Sequence, residues 1–283
     1  MAPDIWFPNL GIQFQNVGQI AFTVFGISIY WYALFIVSGI SMGYLTASRE
    51  VERTGQNPED YMDLLFIGVI FAIIGLRLFY VAFNWELYSH DPIRIITGIR
   101  DGGLAIFGGI IAAIAAVYLI ALKKKLNVWQ VLDTCAPSFA IGQMIGRWGN
   151  FFNREAFGGF TDNLFAMRII REQAQIVTPE LLANTIIYEG VEYIQVHPTF
   201  LYESIWSLTT FVLLTLYRPN KKFNGEVFWM FLFAYGLGRF FIEGLRVDQL
   251  MMGAIPVSQL MAASIFIIGA AAIIFKRISE RRA

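Results

Sequence analysis

Along the 283-residue chain, apolar positions gather into long blocks instead of the short alternations of half-buried strands. Three uncharged runs have spanning length: Ala21–Tyr44, Gly102–Leu122 and Met251–Phe275. A bilayer-crossing helix needs about 20 such residues. Four further blocks carry few charges. Tyr61–Phe83 holds Asp63 and Arg77, Leu126–Trp148 holds Asp133 and Arg147, Phe200–Tyr217 holds Glu203, and Val227–Leu245 holds Arg239 and Glu243. The pattern predicts an all-α polytopic membrane protein with seven transmembrane helices, and so with its termini on opposite sides.

Charge orients the helices. Twelve Lys and Arg follow the first, third, fifth and seventh blocks, among them every lysine: Lys123–Lys125, Lys221, Lys222 and Lys276. The other side has only arginines, Arg94, Arg100, Arg147, Arg154, Arg168, Arg171 and Arg246. Cytoplasmic connections collect the basic residues, so the N-terminus is expected outside and the C-terminus in the cytoplasm. No Lys or Arg precedes Arg49, so the first block lacks a signal-peptide n-region and is expected to stay as an anchor. The one long connection, Asn150 to Thr199, faces outward. Its helix-forming "PELLAN" and strand-like "VEYIQV" predict a compact external head over 150–199, inserted in a single membrane domain of 1–283.

Composition agrees with this picture. Hydrophobic residues make up 57% and charged ones 15%, against about 25% charged in soluble domains. The lone Cys135 cannot form an intramolecular disulfide and reads as packing. With two histidines and one cysteine there is no zinc-ligand set. No metal, cofactor or nucleic-acid partner is expected.

Charges inside apolar blocks cost at least about 2.5 kcal/mol on insertion scales and face a bundle interior or polar cavity. Arg77 and Asp133 suit interhelical ion pairing, for example with each other. Arg239, Glu243 and Arg246, spaced i, i+4, i+7, share one helical face. Arg147 and Asn150, at i, i+3, close the fourth block beside Gly146 and Gly149. Two guanidiniums near outer helix ends suit a phosphate, which their planar forks bond bidentately. His90, in "YSHDP", reads as a surface turn residue. His197 precedes a proline that opens the fifth helix, where both a structural and a functional reading stay open.

"GRWGNFFNREAFG" resembles the signature of the bacterial prolipoprotein diacylglyceryl transferases, G-R-x-G-N-F-x-N-x-E-x-x-G. Every fixed position matches: Gly146, Arg147, Gly149, Asn150, Phe151, Asn153, Glu155 and Gly158. "YWYAL", "GLRLFYV", "DGGLAIFGG", "HPTFLYE" and "YGLGRFFIEGLR" resemble the same family in the expected order. The resemblance implies an enzyme of the bacterial cytoplasmic (inner) membrane, active toward the outer face. It would transfer the diacylglyceryl group of phosphatidylglycerol to the lipobox cysteine of an exported prolipoprotein, releasing glycerol phosphate. By that resemblance Arg147 and Arg239 hold the phosphate, and Asn150, Asn153, Glu155 and Gly158 shape the site. Glu203 and Arg246 belong to the binding set, and Tyr32 and Tyr235 could donate hydrogen bonds.

One position departs from the family. Where many members carry histidine in G-G-x-x-x-H-G-G, this chain has Phe107 between Gly103 and Gly108–Gly109. The base for the thiol is then Glu243, Glu203 or His197, or none is needed. At pH 7 a thiol of pKa about 8.5 is short of its thiolate by roughly 2 kcal/mol, which nearby arginines could largely supply. A small-anion or lipid transporter is the alternative, since intramembrane charges also mark ion pathways. It predicts repeated halves with broken helices, and the sequence has no repeat.

Overall fold

The computed structural model describes residues 2–98, 102–249, 251–252 and 255–282. Arg100 and Asp101 lie outside the described residues, as do the side chains of Phe107, Arg281 and Arg282. The fold is mostly helical, and a helix stands at each of the seven expected places: α1 (Trp31–Arg53), α2 (Pro58–Phe83), α4 (Ile106–Lys123), α5 (Val128–Asn153), α7 (Thr199–Tyr217), α8 (Glu226–Glu243) and α9 (Val257–Arg282). Short helices α3 (Arg94–Thr97) and α6 (Pro179–Ala183) lie in connections. Of the long helices, α1, α2, α7 and α9 are long and apolar enough to cross a membrane.

The all-α expectation is corrected. Strands β1 (Ile5–Phe7), β2 (Ile12–Phe14), β5 (Met167–Ile170), β6 (Ile186–Tyr188) and β7 (Val191–Val196) form one antiparallel sheet in the order β2-β1-β5-β7-β6. Strand β7 is the "VEYIQV" run. The N-terminal contribution was hidden because an uncharged apolar segment does not by itself distinguish strand from helix. The Ala21–Tyr44 run shows the same ambiguity. Its first part forms a hairpin of β3 (Ile20–Val24) and β4 (Ile27–Tyr30), and helix begins only at Trp31. The hairpin turns at Phe25 and Gly26, with φ of 49° and 79°, the paired left-handed conformation that matches strand twist. Likewise the Met251–Phe275 run opens with the short pair β8 (Met251–Met252) and β9 (Ile255–Pro256) before α9.

The chain divides into two compact units, Met1–Thr46 with Cys135–Ala283, and Ala47–Thr134. In the first, one face of the sheet buries Ile5, Phe7, Met167, Ile169, Ile194 and Val196 against Leu181, Phe151, Phe157 and Phe200. Alternation along β1 and β5 puts these residues on one side of the sheet. Helices α5, α7 and α8 are joined by side-chain bonds to main-chain carbonyls. Ser204 Oγ donates to Met144 O at 3.0 Å, and Trp206 Nε1 donates to Ala234 O at 2.8 Å.

In the second unit α2 packs on α4, so closely that a Cβ on Gly109 would lie 2.7 Å from Leu76 Cγ. Lys124 pairs with Asp60 at 2.5 Å and Asp63 at 2.6 Å. Arg77 is buried and donates to the main-chain carbonyls of Arg94, Ile95, Gly102 and Gly103 at 2.8–3.0 Å. Its guanidinium also lies over the Tyr88 ring, 5.1 Å from the centroid. This arginine satisfies a loop's carbonyls, a seat the spacing of charges along the chain did not indicate.

Candidate active site

The signature spans the last turns of α5 and the loop behind it. Arg147, Asn150 and Asn153 follow at three-residue spacing and lie along one side of the helix. Past Asn153 the chain reverses through two non-glycine residues with positive φ, Arg154 at 52° and Ala156 at 56°. Each costs of order 1 kcal/mol and is held by the surroundings. Arg154 Nη2 donates to the Val17 carbonyl, and Thr199 Oγ1 donates to the Ala156 carbonyl. The result turns Glu155 back toward the helix. Its Oε1 accepts from Asn150 Nδ2 at 2.9 Å and Asn153 Nδ2 at 3.1 Å.

The centre of the site is Glu203, one turn into α7. Its Oε2 lies 2.6 Å from Arg147 Nε, and its Oε1 lies 2.8 Å from Arg239 Nη1 and 3.9 Å from Arg246 Nη1. Arg239 also meets Glu243 Oε2, one turn along α8, at 2.6 Å. That oxygen is buried and the pairing is a close charge contact without hydrogen-bond alignment. Just beyond α8, Arg246 forms a two-pronged pair with Asp248 at 2.8 and 2.5 Å. Burial alone would push the Asp248 carboxyl up, but the hydrogen bonds and charge of Arg246 outweigh it and hold the group below its ordinary range. On the other side Arg147 Nη1 reaches Asn150 Oδ1 at 3.5 Å, linking this network to the signature loop.

Glycines permit the close approaches. A Cβ on Gly149 would lie 2.6 Å from Tyr32 Cδ2, and one on Gly158 would lie 2.6 Å from the Leu245 carbonyl and 2.8 Å from His197 Cβ. Main-chain bonds run from Gly158 N to His197 O at 2.9 Å, from His197 N to Gly159 O at 3.0 Å and from Gly159 N to Leu245 O at 3.0 Å. They tie the signature loop to the start of α7 and to the end of α8, which carry Glu203 and the Arg239–Glu243 pair. Tyr32, Asn153 and Glu155 also line a cavity of about 600 Å³.

Of the residues singled out in the sequence, the structure gathers Arg147, Arg239, Glu203, Glu243, Arg246, Asn150, Asn153 and Glu155 into one chain of contacts, with Tyr32 and Gly158 against it. Two stand apart in their contacts. Tyr235 stacks on Phe231, ring centroids 5.9 Å apart, at the edge of an apolar cluster. His197 Nδ1 lies 3.3 Å from the Tyr202 hydroxyl, which Asn163 Nδ2 also contacts at 3.0 Å. Burial pushes His197 below its ordinary value, favouring the neutral imidazole. The spacing of charges missed Asp248, two residues past Arg246, and missed that Glu203 is shared by both arginines. The first had a signal in the alternating charges of "LRVD"; the second depends on a contact between helices that no local spacing encodes.

Chemically, the arrangement holds three guanidiniums with three carboxylates. A guanidinium has five N–H donors, so Arg147 and Arg239 keep donors for an incoming oxyanion after serving Glu203 and Glu243. The carboxylates fix the forks in place, and fixed cations aimed at developing charge are a large catalytic term.

The profile of the prolipoprotein diacylglyceryl transferase family matches residues 19–275. The phosphatidylglycerol–prolipoprotein diacylglyceryl transferases of Bacillus cytotoxicus and Bacillus mycoides are each 41% identical to the chain over 249 residues, 88% of either sequence. The enzyme of the same name from Bacillus anthracis is 40% identical over the same span. A match over nearly the whole length, with Arg147, Asn150, Asn153 and Glu155 of the signature joined in one contact network, means that the chain belongs to the prolipoprotein diacylglyceryl transferase family.

Proposed function

We propose that this protein transfers the diacylglyceryl group of phosphatidylglycerol to the thiol of the lipobox cysteine in an exported prolipoprotein. The observation that carries the reading is the Glu203-bridged pair of Arg147 and Arg239 beside the signature loop. The cysteine sulfur attacks the glyceryl carbon that bears the phosphate ester. A carbon–sulfur bond forms, the carbon–oxygen bond breaks, and glycerol phosphate leaves with the electron pair. The thiol proton passes to solvent. Arg147 and Arg239 bind the phosphate and offset the charge that grows on the leaving oxygen. Removing one such donor typically costs 10²–10³ in rate, an effect of about 3–4 kcal/mol.

The same guanidiniums favour the thiolate, so the rate needs no histidine at position 107. Seven helices span the bacterial cytoplasmic membrane, with the N-terminus and the sheet-containing head outside and the active site toward the outer face. The distribution of lysines supports that orientation.

The test is glycerol phosphate release in liposomes of phosphatidylglycerol with a lipobox peptide. Wild type should release it only when the peptide carries its cysteine, and Arg147→Ala and Arg239→Ala should each lose about 10²-fold or more. Release from a cysteine-free peptide, or undiminished release in both variants, would overturn the reading.

A further inference from the structure

Beyond Tyr32, Asn153 and Glu155, the wall of the 600 Å³ cavity is built by Gln19, Tyr30, Ala33, Gln173 and Gln175. Gln19 and Tyr30 stand at the base of the β3–β4 hairpin, Tyr32 lies in the first turn of α1, and the other two glutamines lie in the segment after β5. Among the described residues no hydrogen bond occupies the side-chain amides of the three glutamines. Among the described residues that line the wall, Glu155 alone is charged. We propose that this cavity seats the extended backbone of the acceptor peptide beside its cysteine, which makes it the binding subsite of the second substrate.

The lining selects the ligand class. Among the described lining residues a phosphate would meet a carboxylate and no cation, and like charges repel. An acyl chain would strip water from the three glutamine amides and two phenols without giving back a hydrogen bond. The cavity therefore takes a neutral ligand rich in both donors and acceptors. A peptide chain is such a ligand, because each residue presents one N–H and one C=O, and a glutamine amide can pair with both. A glycerol headgroup shares that chemistry but fills little of 600 Å³, a volume within the usual range of ligand cavities, about 300–1,000 Å³.

Position supports the peptide as well. The cavity lies at the first turn of α1, a helix long and apolar enough to cross a membrane. A signal segment crossing the bilayer beside it would bring the residues that follow to the same level. From the cavity, Glu155 leads through Asn150 at 2.9 Å to Arg147 at 3.5 Å, so the peptide subsite and the anion site share one hydrogen-bonded path.

The inference rests on the transferase reading, and the experiment separates the two. Binding of a fluorescent lipobox peptide with serine in place of cysteine is measured by anisotropy, without phosphatidylglycerol. The proteins compared are wild type and the triple variant Gln19→Ala, Gln173→Ala, Gln175→Ala, with apparent Tm matched. The peptide Kd should rise about tenfold or more, as expected for several neutral hydrogen bonds lost together. In the transferase assay the KM for peptide should rise in parallel, while the KM for phosphatidylglycerol stays within about twofold. Unchanged peptide affinity overturns the proposal, and a rise confined to the KM for phosphatidylglycerol gives the cavity to the glycerol headgroup instead. If wild type releases no glycerol phosphate, the transferase reading fails, and the binding comparison still decides the cavity.

Discussion

Glu203 meets Arg147 with one oxygen and Arg239 with the other, and its side chain is only 9% exposed. Removing one partner from so buried a network leaves like charges facing each other, which typically costs about 3–5 kcal/mol. Glu203→Ala should lower stability by about that amount, read from denaturant unfolding in detergent, with Glu203→Gln milder because an amide oxygen still accepts. Equal stability in Glu203→Ala and wild type would mean that the carboxylate does not hold the arginines. His197 makes a different prediction. Burial holds it below its ordinary pKa, so the folded state binds fewer protons than the unfolded one and stability rises with pH. Its contribution is complete above about pH 6.5 and is lost as pH falls below that. Tm between pH 7 and 5 should therefore decline less in His197→Gln than in wild type. Position 107 gives a third test at this scale. A dedicated base contributes about 10²–10⁴ in rate, so electrostatic activation of the thiol predicts that Phe107→His changes kcat by less than that.

Among the elements, the loop after α5 converts helix into site. Gly158 admits the Leu245 carbonyl at a distance a Cβ would not tolerate, so Gly158→Ala must displace either the loop or the end of α8. Such a displacement of about 1 Å typically costs about 10² in rate, and activity should fall by that order while the helical content stays unchanged by circular dichroism. Among the described residues the long helices were legible in the sequence because their apolar blocks are too long for strands, and α1, α2, α7 and α9 are long and apolar enough to cross a membrane. The signature loop was legible through its glycines, asparagines and charges. The hairpin of β3 and β4 was not, because Ala21–Tyr30 has the same uncharged composition as the helix that follows it. Nor was the pairing of β1 with β5, whose register joins Ile5 to Ile169 across 163 intervening positions. Local pattern states what a segment can bury, and the partner it finds is set by the whole chain. Arg77 illustrates the limit: its charge pointed to an acidic partner, and its contacts are main-chain carbonyls and the Tyr88 ring.

At the scale of the whole molecule, the account requires the head and the arginine network outside and the lysine-bearing connections within. A membrane-impermeant thiol reagent added to intact cells should label Ile187→Cys, on exposed β6, and spare Asn224→Cys, in the connection before α8, both in a Cys135→Ala background. The reverse pattern would invert the topology. The central claim is the chemistry itself, and mass spectrometry of the acceptor peptide reads it most directly. Purified protein, phosphatidylglycerol liposomes and a lipobox peptide should yield a peptide heavier by one diacylglyceryl group on the cysteine sulfur. That product should be absent with a serine peptide and strongly reduced in Arg239→Ala. Unmodified cysteine peptide after incubation with folded wild-type protein would contradict the account.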